Sequence, residues 1–207
     1  MLWKWLGRLC LVLGNLLVLG VLFTFALYIR PLVFTNYYLE VVLSSLVGVA
    51  GVLVVYYYLK SCTSDPGRPS TPSEVSNYCF TCNFGKPFNT HHCSVCNKCV
   101  LEMDHHCVWI NNCLGKNNKW EFYSFITWLF LGCLLIDLVM LPLYPRIFFD
   151  KKSLEKEIGV WETNLVCYTL FLCLSVAVAL GMLFEFHRFL YKSNLTTLDY
   201  LRRSKLN

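Results

Sequence analysis

Apolar residues fall in four long, nearly unbroken runs along this chain, roughly Leu9–Ile29, Leu39–Leu59, Phe122–Leu143 and Leu165–Phe186. Each is about 20 residues, enough for one helix to cross roughly 30 Å of hydrocarbon. Polar residues concentrate between the second and third runs. The pattern predicts an all-α integral membrane protein with four transmembrane helices and one polar insertion of about 60 residues between spans 2 and 3.

Composition supports that division. Apolar residues make up 56% and charged residues 15%, and the mean hydropathy is +0.49, well away from an ordinary soluble domain. The first run is too long for the apolar core of a signal peptide, and no small-residue cleavage site follows it, so it reads as a retained span. Of the 18 Lys and Arg residues, Arg30, Arg146, Lys151, Lys152 and Lys156 fall on one side of a four-span topology, and the rest fall with the termini and the insertion. Cationic loops stay in the cytosol, so both termini and the central insertion are expected there. The net charge of +5 then reflects membrane topology, not a nucleic-acid footprint, and no nucleic-acid partner is expected.

The divisions expected are 1–59 (spans 1 and 2), 60–121 (a cytosolic cysteine-rich domain), 122–186 (spans 3 and 4) and 187–207 (a cytosolic tail). Pro31 is expected to end the first helix. Residues 61–76, with Pro66, Gly67, Pro69 and Pro72, read as a linker. Gly48 and Gly51 in span 2 suit close helix packing, and with Asn15 and Gly132 they are candidates for shaping a cavity among the spans. Asp137 is an intramembrane carboxylate, a functional candidate weighed against a structural or far-interface residue. His187 reads as a solvated residue at a basic helix exit. Thr196-Thr197-Leu198-Asp199 offers hydroxyls to cap a short helix. No internal repeat is expected.

The insertion is too small and too poor in aliphatic residues to stabilise itself by burial alone. Its resources lie instead in Cys79–Cys113, where 7 of the 12 cysteines and 4 of the 5 histidines gather. In order these are Cys79, Cys82, His91, His92, Cys93, Cys96, Cys99, His105, His106, Cys107 and Cys113. Cys-x-x-Cys pairs grip one metal from a tight turn, and a structural zinc takes four nitrogen or sulfur ligands. Two zincs would use eight of the eleven donors. A cytosolic location argues against a disulfide framework. Spacing alone does not sort ligands from surplus, and Asp104-His105-His106-Cys107 reads either as more ligands or as a thiol with an imidazole base and an orienting carboxylate.

The run Asp104-His105-His106-Cys107-Val108-Trp109-Ile110-Asn111-Asn112-Cys113-Leu114-Gly115 follows a cysteine-rich segment and sits between spans 2 and 3. With the Thr-Thr-x-acid element after span 4, it resembles the DHHC-type protein S-acyltransferases (palmitoyltransferases), and the resemblance covers most of the chain. It implies a small zinc-stabilised domain with one structural Zn2+ on Cys79, Cys82, His92 and Cys99 and another on Cys93, Cys96, His106 and Cys113. It further implies Cys107 as nucleophile, His105 as base and Asp104 as the group orienting it; His91 receives no role. Val108, Asn89 and Asp199 stand where the family usually has proline, arginine and glutamate.

By that resemblance the chain is expected to take a long-chain acyl group from acyl-CoA onto Cys107 and pass it to cysteines of membrane-associated proteins. The setting would be an endomembrane (ER or Golgi) or the plasma membrane. Two other classes compete with this reading. A non-catalytic membrane scaffold with a structural zinc module has no need of a reactive ninth group. A transporter would want polar groups at matching depth in several spans, whereas Asn15 and Asp137 sit towards opposite faces.

Overall fold

The protein is described from a computed structural model, which covers residues 2–69, 77–193 and 195–204; the side chains of residues 2–4 and Phe84 are also outside the description. The latter part of the expected linker, 70–76, therefore lies outside the described residues.

Helix α1 (Leu2–Thr24) passes through one π-turn (Phe25–Ile29) into α2 (Arg30–Val33), and α3 (Tyr37–Thr63) follows. Three two-stranded antiparallel hairpins come next: β1 (Asn77–Cys79) with β2 (Phe84–Lys86), β3 (His91–Cys93) with β4 (Lys98–Val100), and β5 (His105–Cys107) with β6 (Asn112–Leu114). Helix α4 (Lys119–Met140) leads through a 3-10 turn (Leu141–Leu143) to α5 (Tyr144–Phe149) and α6 (Lys151–Ile158). The long α7 (Val160–Lys192) and the short α8 (Thr197–Arg203) complete the described chain. Four stretches are long and apolar enough to cross a membrane: Trp5–Val33, Tyr37–Thr63, Lys119–Phe149 and Val160–Lys192. The fold is mostly helical, and the cysteine- and histidine-rich segment lies between the second and third of these.

Pro31 did not end the first span where its chemistry suggested. Pro31 occupies the first turn of α2, where a missing N–H costs nothing. The π-turn just before it absorbs the mismatch, and the first span runs on to Val33. Pro142 falls in the 3-10 turn that follows α4. Helix α3 also extends through Ser61, Cys62 and Thr63, so the expected linker begins later than its composition implied. Hydroxyls of Ser61 and Thr63 bond carbonyls one turn back within the helix, at 2.7 and 2.9 Å.

The chain forms two compact units. One comprises residues 15–55 and 126–183; the other comprises 1–14, 56–125 and 184–207. In the first, a continuous core includes Ile29, Val47, Met140, Leu154, Val166 and Leu170. Large apolar side chains such as Leu16, Val52, Leu138 and Met182 are instead exposed, a surface that suits lipid and not water. Gly51 is a packing glycine, since a Cβ there would lie 2.9 Å from Leu22. Gly48 is not: its Cβ would meet nothing within 4 Å. At Gly132 a Cβ would stand 3.8 Å from Ala50. Asp137 is 7% exposed, and neither of its carboxylate oxygens has a hydrogen-bond partner among the described residues.

Candidate active site

The three hairpins are built on one plan. Residues 91–99 read His-His-Cys-Ser-Val-Cys-Asn-Lys-Cys, and residues 105–113 read His-His-Cys-Val-Trp-Ile-Asn-Asn-Cys. The registers repeat too: His92 faces Cys99 and Cys93 faces Lys98, as His106 faces Cys113 and Cys107 faces Asn112. Each turn closes on an asparagine in the left-handed region, Asn83 (φ 56), Asn97 (φ 53) and Asn111 (φ 49), which asparagine tolerates better than most side chains. The expectation of no internal repeat is thus corrected.

The turns present backbone amides to sulfur. The N–H of Cys82 donates to Cys79 Sγ at 3.4 Å, and that of Cys96 donates to Cys93 Sγ at 3.4 Å. Each such Cys-x-x-Cys turn is completed by a His and a Cys from the next hairpin. Cys79, Cys82, His92 and Cys99 form one group and Cys93, Cys96, His106 and Cys113 the other, with the ligand atoms of each group within 4.8 Å of one another. His92 Nδ1 stands 3.6, 3.3 and 3.9 Å from the sulfurs of Cys79, Cys82 and Cys99. His106 Nδ1 stands 3.7, 3.3 and 3.6 Å from those of Cys93, Cys96 and Cys113. A tetrahedral zinc with ordinary bond lengths needs such atoms about 3.5–3.8 Å apart. Both groups can hold a metal ion, and three sulfurs with one imidazole nitrogen suit zinc.

The third turn departs from the plan at one position. Ile110 stands where Cys82 and Cys96 stand in the first two, and it is fully buried. The backbone amides of Ile110 and Trp109 in this turn favour the charged form of Cys107, but no second thiolate stands beside it. It belongs to neither metal group.

Cys107 meets a polar network instead. His105 and the Cys107 thiol are close enough to shift each other's ionisation, and His105 Nδ1 lies 2.7 Å from Asp104 Oδ2. Asp104 is 5% exposed and receives two further bonds from far along the chain. The Thr197 N–H donates to Oδ1 at 2.9 Å, and the Thr197 hydroxyl donates to Oδ2 at 2.7 Å. Phe122 packs edge-on to the His105 ring, with centroids 6.0 Å apart.

The electrostatics follow from these contacts. Burial opposes ionisation of Asp104, but the bonds from His105 and Thr197 outweigh it and hold the carboxyl at about 2. Burial disfavours the charged imidazolium of His105, yet Asp104 and the Cys107 sulfur raise it to about 9. Burial pushes the Cys107 thiol up, while the His105 bond and the turn amides more than compensate, so the net shift is downward. The two shifts run in the same sense: each favours the charged pair, thiolate with imidazolium, over the neutral one.

Thr197 is the residue that sequence reasoning assigned differently. Its neighbours do cap α8: the Thr196 hydroxyl accepts from the Asp199 N–H at 3.1 Å, and the Asp199 carboxylate accepts from the Thr196 N–H at 3.1 Å. Aspartate in place of glutamate thus still closes a reciprocal cap. Thr197 itself spends its hydroxyl on Asp104. Asn89 sits at φ 56, which suits asparagine better than arginine. Val108 lies in the turn, its carbonyl accepting from the Asn111 N–H at 3.2 Å. His91 Nδ1 lies 3.2 Å from Arg202 Nη2. His187 is not simply solvated: its Nδ1 is 3.2 Å from the Tyr123 hydroxyl, and the two rings pack edge to face.

A family model described as DHHC palmitoyltransferase matches residues 73–204, and the chain belongs to that family. Among its relatives, the mouse (Mus musculus) protein named Palmitoyltransferase ZDHHC16 is 33% identical over 159 residues, covering 72% of this chain and 44% of its own. Probable protein S-acyltransferase 16 of Arabidopsis thaliana is 32% identical over 167 residues, covering 72% and 57%. Palmitoyltransferase ERF2 of Debaryomyces hansenii is 26% identical over 190 residues, covering 72% and 50%. The chain spans about half the length of the curated relatives it matches.

Proposed function

We propose that this protein is a membrane-embedded S-acyltransferase that carries a fatty acyl group on Cys107 between acyl-CoA and the cysteine thiol of a membrane-associated protein. The observation that carries the reading is the thiol outside both metal groups, lowered by the neighbouring His105, whose ring is held by the buried, doubly anchored Asp104. Family membership supports it independently.

In the first step the Cys107 thiolate attacks the thioester carbonyl of acyl-CoA. The bond from that carbon to the CoA sulfur breaks, and His105 gives the departing sulfur a proton. In the second step the incoming protein thiol loses its proton to His105 and attacks the acyl carbon. Cys107 leaves as the thiolate, and the imidazolium–thiolate pair is restored. One thioester is exchanged for another in each step, so no further energy source is required. Asp104 keeps the His105 ring oriented throughout and stabilises its charged form.

Cys79, Cys82, His92 and Cys99, and separately Cys93, Cys96, His106 and Cys113, would each hold a structural zinc. Bound there, zinc supplies the stability that a short-stranded domain lacks. The domain at 60–121 and the tail at 187–207 would lie in the cytosol with both termini, and spans at 1–59 and 122–186 would lie in an endomembrane or the plasma membrane. The acyl chain would rest among the spans, since each buried CH2 is worth about 0.8 kcal/mol.

Cys107→Ser tests the reading. The variant is expected to keep two zincs per chain and normal expression, and to take up no acyl group from acyl-CoA by intact-protein mass. Labelling of the variant at the wild-type rate would overturn Cys107 as the acyl carrier.

A further inference from the structure

Asp104 and His105 are supported from two sides, and the two supports are joined to each other. On one side Phe122, buried in the first turn of α4, packs edge-on to the His105 ring. On the other, Thr197 of α8 donates twice to Asp104. Successive residues of a helix point about 100° apart, so Tyr123 faces a different neighbour from Phe122. Its hydroxyl lies 3.2 Å from His187 Nδ1 near the end of α7, and the two rings meet edge to face with centroids 5.3 Å apart. The residue before His187 turns towards the tail. The Phe186 ring packs on that of Tyr200 in α8 with centroids 5.6 Å apart, and Phe189 meets the same ring at 5.9 Å. These contacts close a circuit. It runs from His105 through Phe122 and Tyr123 to His187, then through Phe186 and Tyr200 to Thr197 and Asp104. Tyr123 and His187 are both half-buried, and their bond ties the start of α4 to the end of α7 within that circuit.

We infer that Tyr123 and His187 are positioning residues for the acyl transfer: their hydrogen bond holds Phe122 against the His105 ring and so keeps the imidazole aimed for proton transfer. This role rests on His105 serving Cys107, as proposed above. Neither residue has to touch the reacting atoms. Edge-on aromatic pairs keep to a narrow range of geometry, so a small shift at the head of α4 frees the His105 ring to turn. Misplacing a catalytic group by about 1 Å can cost about a hundredfold in rate. Removing one hydrogen bond while both rings stay in place loosens the support without abolishing it. A loss of about three- to tenfold is therefore expected.

The test uses the full chain, zinc-loaded and reconstituted in phospholipid bilayers. Single-turnover acylation of Cys107 by palmitoyl-CoA is followed by intact mass over a range of acyl-CoA concentrations. Tyr123→Phe removes one oxygen and keeps the ring. It should lower the saturating rate by about three- to tenfold, while the half-saturating acyl-CoA concentration and the zinc content stay at wild-type values. His187→Gln should show the same split. The double variant should be no slower than the slower single one, because each removes the same bond. In a Phe122→Leu background, Tyr123→Phe should have no further effect, since the link to His105 is already cut. A wild-type saturating rate in Tyr123→Phe would overturn the inference. So would a rate loss accounted for by unfolding or loss of zinc, which marks a merely structural role, or a change confined to half-saturation, which marks acyl-CoA binding. Multiplicative losses in the double variant, or an undiminished effect in the Phe122→Leu background, would overturn it too. Absence of any adduct on Cys107 in the wild type would instead overturn the proposed function. Tyr123→Phe deletes a single oxygen, so the deciding comparison does not hang on a variant that folds poorly.

Discussion

Removing one oxygen atom from Thr197 separates the work of Asp104 from its mere presence. Thr197→Val keeps the size and β-branching of the side chain and the backbone N–H that reaches Asp104 Oδ1 at 2.9 Å. It deletes only the hydroxyl that donates to Oδ2 at 2.7 Å. A hydrogen bond to a charged, buried acceptor is worth about 1.5–3 kcal/mol. The carboxyl is held at about 2, first against burial and then by His105 and Thr197. Loss of one donor would raise it by roughly one to two units, since each unit is about 1.4 kcal/mol. It would still be fully ionised at neutral pH. The charge beside His105 therefore survives, and what is lost is its fixed direction, because Oδ2 also bonds His105 Nδ1 at 2.7 Å.

If the lower half of that energy is felt in the transition state, acylation of Cys107 slows by about tenfold. The assay is single-turnover formation of the acyl-enzyme, followed by intact mass at saturating acyl-CoA, with zinc content measured on the same samples. Thr197→Ser restores the hydroxyl and should recover most of the rate. Wild-type kinetics in Thr197→Val would refute the orienting role. So would a serine variant as slow as the valine one, because then the side-chain oxygen is not what matters.

The remaining predictions concern the frame around the site. Chelation, or Cys79→Ser, should remove metal from the first group and unfold the hairpins, since structural zinc contributes about 10–16 kcal/mol in small zinc modules; the zinc-to-protein ratio and protease sensitivity report it, and a full complement of metal in Cys79→Ser would count against the ligand assignment. Gly115→Ala should destabilise by about 1–3 kcal/mol, because its Cβ would collide with the Pro66 carbonyl and the Val100 side chain; an unchanged Tm would contradict the close approach. Asn112→Ala strips two bonds from the end of α3 and leaves buried carbonyls unpaired, at a cost of about 1–3 kcal/mol. Thermal unfolding should show that loss together with slower Cys107 acylation, and wild-type behaviour in both would mean the fastening is idle.

What the chain revealed on reading, and what it withheld, divides by the range of the forces involved. Burying backbone in hydrocarbon demands an uninterrupted apolar run, so the four spans were legible from composition alone. Their ends were not, because the π-turn before Pro31 and the 3-10 turn at Pro142 are local accommodations that no apolar count anticipates. Ligand chemistry was legible as a set of eleven donors. The interleaved pairing of Cys79 and Cys82 with His92 and Cys99 came from family resemblance, since spacing says nothing about which hairpin faces which. Thr197 could not have been read at all from local pattern: it meets Asp104 from 93 residues away, and its sequence neighbours advertise only a helix cap.

The repeat of the hairpins was in plain sight, and it supplies a physical reason for a free thiol. Two copies of the turn present amides to a sulfur and add a second thiolate, which completes a metal group with the following hairpin. In the third copy the amides remain but Ile110 occupies the second thiolate position, buried where a ligand would otherwise point. A turn suited to stabilising negative charge on sulfur is thereby left with one sulfur and no metal partner. His105 and Asp104 would then supply the counter-charge that a metal ion would supply in the other two. On this view the reactive thiolate is a metal-binding turn with its metal position filled by hydrocarbon, and the acid–base pair stands in the place of the cation.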